Sequence, residues 1–92
     1  MGHICLLIAQ NIRKLRSKAG LSQLSLATKA NIDSKTLHDI EHAVRYPEVR
    51  TLEKIANALE IPIIQLFEEP GNPPSRLEVL VNLLSKNDHS KL

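Results

Sequence analysis

The sequence predicts an all-α fold: five short helices followed by a further C-terminal helix. Two observations carry this. Apolar residues recur at three- and four-residue spacing in one segment after another, as in helices that each bury one face. Between the segments stand residues that stop helices: Gly20, Asn31, Pro47, Pro62 and the run EEPGNPP at 68–74. The core must be aliphatic, because Tyr46 and Phe67 are the only aromatic side chains. These breaks divide the chain into a domain over residues 1–69 and a linker with a C-terminal helix over residues 70–92.

The first helix is expected over residues 6–19, where Ile8, Ile12, Leu15 and Ala19 form one stripe. Met1-Gly2-His3 receives no structural role. Arg13, Lys14, Arg16 and Lys18 fill the remaining positions, either as a solvated face or near phosphates. Gly20 ends the helix, as glycine does when the chain must turn left-handed. The second helix begins at Gln23. Its Leu26, Ala27 and Ala30 share a face, and Ala27 is small enough to let two helix backbones approach. Asn31 tolerates positive φ and can close this helix. Asp33 or Ser34 can cap the next by accepting from a free backbone N–H. Two short helices joined this tightly are the supersecondary unit that lays its second helix in the major groove of DNA.

The third helix is expected over residues 34–42. Leu37 and Ile40 point inward, which leaves Ser34, Lys35, Thr36, His38 and Asp39 for a groove. Lysine donates to guanine O6 or N7, serine and threonine bond either kind of base edge, and a threonine methyl meets thymine. Asp39 would repel phosphate. It can accept from cytosine N4 or pair with Lys35 one turn back, and the pairing is the expected arrangement. His38-Asp39-Ile40-Glu41-His42 also fits the zinc-peptidase pattern H-x-x-E-H. A catalytic zinc needs a third protein ligand and a cleft. Neither is evident, so the motif reads as a chance match, with no metal and no cofactor expected.

Residues 43–49 form a loop, and Pro47 stops one helix and prepares the next. The fourth helix, over residues 50–59, buries Leu52, Ile55, Ala56 and Leu59. Pro62 lies near the first position of a short fifth helix, where its missing N–H costs little. Ile63, Leu66 and Phe67 then close the core. Beyond the breaker run, a helix over residues 75–86 opens on a capping box, Ser75 with Glu78. Leu77, Leu80, Val81 and Leu84 make its stripe. That is more apolar surface than such an appended helix buries alone, so the stripe is expected to dimerise. The alternative is a cover over its own domain. Residues 87–92 are expected to fray.

Gly20-Leu21-Ser22-Gln23, Leu26-Ala27, Ser34-Lys35-Thr36-Leu37, Ile40-Glu41 and Pro47 together resemble the Cro/lambda-repressor-type (XRE) helix-turn-helix family, over residues 8–67. There are departures. Asn31 and Ala43 stand where the family commonly has glycine, and Leu24 and Ser25 where acidic residues are usual. Ala43 argues against a left-handed end to the third helix. The resemblance implies a five-helix lambda-repressor-like domain that binds duplex DNA sequence-specifically. It implies that Gln23 bonds a phosphate while bracing the third helix, and that Ser34, Lys35 and His38 meet base edges. It makes Glu41 structural, bonded to a neighbouring backbone or an arginine. It places Arg45 and Tyr46 in a turn that touches phosphate, Tyr46 having the alternative of covering the core. Thr36, Asp39 and His42 complete the expected DNA-binding set.

Ninety-two residues suit one small domain, with no room for a separate sensing or catalytic unit. A thin core at this size favours a dimer. Charge is uneven. Residues 1–50 carry eight Lys or Arg against four Asp or Glu, and residues 51–92 carry four against six. A basic front half suits a face turned to phosphate. Cys5 is the single cysteine, so no internal disulfide forms; it is expected to be a small buried apolar group in a cytoplasmic protein. The longest apolar run, residues 4–9, is too short to cross a bilayer. The expectation is therefore a homodimeric transcriptional regulator, a repressor, on double-stranded DNA with a roughly palindromic operator. Phage-type repressor, restriction–modification controller and antitoxin remain open. The rival classes are a protein-interaction module, such as an antitoxin bound to its toxin, and a metalloenzyme.

Overall fold

A computed structural model describes residues 2–69, and the expected dimerisation stripe of Leu77, Leu80, Val81 and Leu84 lies outside the described residues. Among these residues there are four α-helices and one 3₁₀ segment, with no strand. Helix α1 is His3–Lys18, α2 is Gln23–Ala30, α3 is Ser34–Glu41 and α4 is Val49–Leu59. The expected fifth helix is instead a 3₁₀ segment, Ile63–Phe67. A five-residue segment gives an α-helix little propagation to offset its nucleation cost, and short pieces of this length are where 3₁₀ turns occur. Pro62 stands just before the segment, in extended conformation, rather than inside it.

Helix α1 starts earlier than its apolar stripe suggested. Cys5, Leu7 and Ala9 are buried along with Ile8 and Ile12. Two bonds fasten its beginning. The Gly2 N–H donates to the Tyr46 hydroxyl at 3.3 Å, and His3 Nε2 meets Glu69 Oε2 at 3.2 Å. Ala19, expected in the core stripe, is exposed, because α1 has already turned at its C-cap there. Gly20 then takes φ +73, and the Leu21 N–H returns to the Arg16 carbonyl. This is the left-handed close that Gly20 predicted.

The core lies where α1, α2, α3, α4 and the 3₁₀ segment meet. Ile12, Leu26, Leu37, Ile55 and Leu66 supply one fully enclosed side chain from each. Ile63 and Phe67 reach it only in part. Asn11 occupies a polar place in this apolar setting: its amide donates to the carbonyls of Leu66 (2.7 Å) and Glu68 (2.9 Å). Those bonds hold the 3₁₀ segment, whose own ladder is weak.

The turn between α2 and α3 follows its chemistry. Ser22 caps α2 by accepting from the Ser25 N–H at 3.0 Å. Asn31 adopts φ 58, ψ 46, and the Ile32 N–H donates back to the Ala27 carbonyl at 2.9 Å. Asp33 holds the N-cap position of α3 in extended conformation, but its side chain makes no capping bond. Ser34 is already the first helical residue. Ala43 corrects the expectation set by its side chain. It takes φ 56, and the Val44 N–H donates to the Asp39 carbonyl at 2.9 Å. A left-handed close ends α3 even though alanine resists that conformation.

Candidate nucleic-acid interface

Helix α3 has an inner face and an outer face, and they differ in kind. On the inner face Leu37 and Ile40 are buried, and so is the side chain of Glu41, at 0% exposure. A carboxylate that leaves water needs its oxygens satisfied. Arg16 donates from Nε to Glu41 Oε2 at 2.7 Å and from Nη2 to Oε1 at 3.0 Å. Gln23 Nε2 adds a bond to Oε1 at 2.9 Å. Arg16 also donates to the Leu21 carbonyl at 3.0 Å, and Arg13 donates to the Glu41 carbonyl at 2.9 Å. One buried carboxylate thus locks α1, the start of α2 and the end of α3 in fixed relation. Arg13 adds positive charge at the C-terminus of α3, where the helix dipole favours it.

The outer face is open. Ser34, Lys35, His38 and His42 are exposed, and the Lys35 side chain is 80% exposed. Thr36 and Asp39 are half-buried. Lys35 Nζ lies 3.6 Å from Asp39 Oδ2, the one-turn pairing expected from their spacing. The imidazoles of His38 and His42 stack with centroids 4.1 Å apart, and His42 Nδ1 lies 2.8 Å from the His38 carbonyl. That bond ties the second ring to the last turn of the helix.

The loop after α3 continues this surface. Arg45 is exposed, and Tyr46 is 62% exposed, so the reading of Tyr46 as a cover over the core does not hold. Thr36, Arg45 and Tyr46 border one open groove, together with Pro47, Glu48 and Thr51. Cys5 supports the loop from below: its thiol is buried and lies 3.7 Å from the Arg45 carbonyl, as donor.

The structure therefore leaves Ser34, Lys35, His38 and His42 exposed along α3, with Asp39 beside Lys35, while Thr36 borders the groove it shares with the exposed Arg45 and Tyr46. Gln23 is half-buried, with its amide on Glu41. This is the bracing position; the second N–H of that amide is not used by the Glu41 bond. The H-x-x-E-H match comes apart. His38 and His42 face outward while Glu41 is enclosed with both oxygens engaged, so it cannot serve a metal-bound water. Among the described residues, no three His, Cys, Asp or Glu side chains come together in a metal-binding arrangement. Nor is any helix among them long and apolar enough to cross a membrane.

Three contributors are not assigned by the sequence: Arg13 and Arg16 stand among four cations of α1 read as a solvated face or as lying near phosphates, and Asn11 is not singled out. Asn11 carried a readable signal, a polar residue three after Ile8 and four before Leu15 on one helical face.

The profile of the family described as "Helix-turn-helix domain" matches residues 9–72. The chain belongs to that family. It is of the XRE type, whose members are DNA-binding transcriptional regulators. Over 62 residues it is 37% identical to the immunity repressor protein of Bacillus phage phi105, covering 67% of this chain and 43% of that protein. The chain thus spans less than half the length of that relative. Solved structures resemble it more completely. The restriction-modification controller protein C.AhdI from Aeromonas hydrophila is 32% identical with a TM-score of 0.67, over 68% of this chain and 96% of that one. The N-terminal DNA-binding domain of SinR from Bacillus subtilis is 30% identical with a TM-score of 0.66, over 71% and 96%.

Proposed function

We propose that this helix-turn-helix protein is a sequence-specific repressor that binds double-stranded DNA as a homodimer on a roughly palindromic operator. The observation that carries the reading is the asymmetry of α3. Its inner face is fixed by a fully bonded buried carboxylate, while its outer face presents unburied donors and acceptors that a folded monomer does not need. In the reading, α3 lies in the major groove with Ser34, Lys35, Thr36, His38, Asp39 and His42 toward base edges. Arg45, Tyr46 and the free N–H of Gln23 meet phosphates and set register. A two-fold dimer, joined through Leu77, Leu80, Val81 and Leu84, would hold two α3 helices about 34 Å apart, matching half-sites about 10 bp apart. The repressor and controller names of the relatives support regulation of this kind.

Selection of bound duplexes from a random pool, at one near-physiological salt concentration, tests the reading. The expected result is a two-fold symmetric site. Recovery of no preferred sequence would instead favour a protein-interaction module, such as one that binds a toxin. The dimer has its own test: Leu80→Asp with Leu84→Asp should halve the mass seen by light scattering, and an unchanged mass would refute that interface.

A further inference from the structure

On the outer face of α3, one cation and one anion stand side by side. Lys35 Nζ and Asp39 Oδ2 are 3.6 Å apart, and the two side chains differ sharply in freedom. Lys35 is 80% exposed, whereas Asp39 is 16% exposed. The carboxylate is a largely shielded acceptor, and the ammonium is an exposed donor at the end of a long, flexible stem. At 3.6 Å the contact is longer than a strong charge-assisted hydrogen bond, which closes to about 2.7–2.9 Å. Each partner keeps capacity for something else.

The major-groove edge of a G·C pair offers the complementary pattern. Guanine presents O6 and N7 as acceptors, and cytosine presents its N4 amino group as a donor. Because O6 and N4 are hydrogen-bonded to each other across the pair, they lie about 2.9 Å apart. That separation is close to the spacing of the protein's own donor and acceptor. Lysine to guanine and aspartate to cytosine are, taken singly, the favoured pairings.

We propose that Lys35 and Asp39 read one G·C base pair in each half-site as a unit, Lys35 donating to guanine O6 or N7 and Asp39 accepting from cytosine N4. This rests on the placement of α3 in the major groove set out above. The pair acts in two ways. At the right base pair, the contact between the side chains is exchanged for two contacts to bases, so each charged group keeps a hydrogen-bond partner. Elsewhere on DNA, Asp39 holds Lys35 and repels phosphate, which weakens binding to sequences without that base pair. Asp39 is then a specificity-determining residue, and its charge lowers background affinity.

The test repeats the random-duplex selection with wild-type protein and with Asp39→Asn, after thermal unfolding has shown that the variant remains folded. Asparagine keeps the shape, removes the charge and favours adenine. The wild type is expected to select G·C at one position of each half-site. Asp39→Asn is expected to lose about ten- to a hundredfold of that preference, shifting toward A·T. Its binding to a scrambled duplex should rise at the same time, with a salt dependence steeper by up to about one counterion. A wild type that selects a symmetric site, with a variant that selects the same site with equal stringency, overturns the paired reading and leaves the repressor reading standing. A wild type that selects nothing overturns both.

Discussion

The two faces of α3 are built from the same kinds of residue and behave in opposite ways. Each holds one carboxylate and one cation in contact: Glu41 with Arg16 inside, and Asp39 with Lys35 outside. Inside, two bonds of 2.7 and 3.0 Å and a third from Gln23 satisfy a side chain with no exposure. Outside, a single approach of 3.6 Å joins a lysine that is 80% exposed to an aspartate that is 16% exposed. Burial sets the difference. Without water, a charge must be fully partnered and its geometry is fixed. Where the cation stays in water, as Lys35 does, such a pair contributes little to stability and its lysine is free to exchange partners. Fixity belongs on the side that places the helix, and exchange belongs on the side that meets a ligand.

The largest expected effect breaks the inner pair. Glu41→Ala leaves Arg16 partly buried without its carboxylate and releases Gln23. Loss of one member of a buried pair costs about 3–5 kcal/mol. Arg16 retains 21% exposure, so the lower end, about 3 kcal/mol, is expected in urea unfolding. A change below about 1 kcal/mol would mean that the packing of Leu37 and Ile40 alone positions α3. The outer pair should respond in the reverse manner. Lys35→Glu is expected to weaken binding to the selected operator about a hundredfold while moving stability by less than about 0.5 kcal/mol. If Lys35→Glu lowered both together, the outer face would carry structure as well as recognition.

The inner face was partly legible in the sequence and the outer face more so. Helical spacing set Leu37 and Ile40 inward, which left the outer residues by subtraction. The i, i+4 rule anticipated the contact of Lys35 with Asp39. Glu41 was recognisable as structural only through family resemblance. Its partner Arg16 lies 25 positions away, and three other basic residues of α1 offered themselves equally. Pattern reading within a segment cannot choose among such long-range partners. The fifth element failed for another reason, since five residues are too short for periodicity to separate an α-turn from a 3₁₀ turn.

Ala43 shows local preference yielding to its surroundings. The loop reverses at this point and carries Arg45 and Tyr46 beside Thr36 of α3, and Cys5 of α1 and Gly2 just before that helix bond it there. Alanine accepts φ 56 at a steric cost that glycine would not incur. Ala43→Gly should therefore raise stability by about 1 kcal/mol in urea unfolding and leave operator affinity unchanged. A fall in stability would show that the flexibility glycine adds to the unfolded chain outweighs relief of the strain.

Glu60 puts the same two influences, ion pairing and backbone conformation, into competition within one residue. It closes α4 at φ 59, and its carboxylate lies 3.5 Å from Lys29 Nζ. The pair is open to water, at 80% exposure for Glu60 and 49% for Lys29, so its loss should cost less than about 0.5 kcal/mol. Relief of the left-handed strain by glycine is worth about 1 kcal/mol. Glu60→Gly removes both at once, and the larger influence decides the sign: a net gain of about 0.5 kcal/mol is expected in urea unfolding. Lys29→Ala isolates the pair, because it leaves the backbone of Glu60 untouched. If that variant lost more than Glu60→Gly gained, an exposed pair would be holding α2 to α4, and burial would no longer be what separates the ion pairs of this protein.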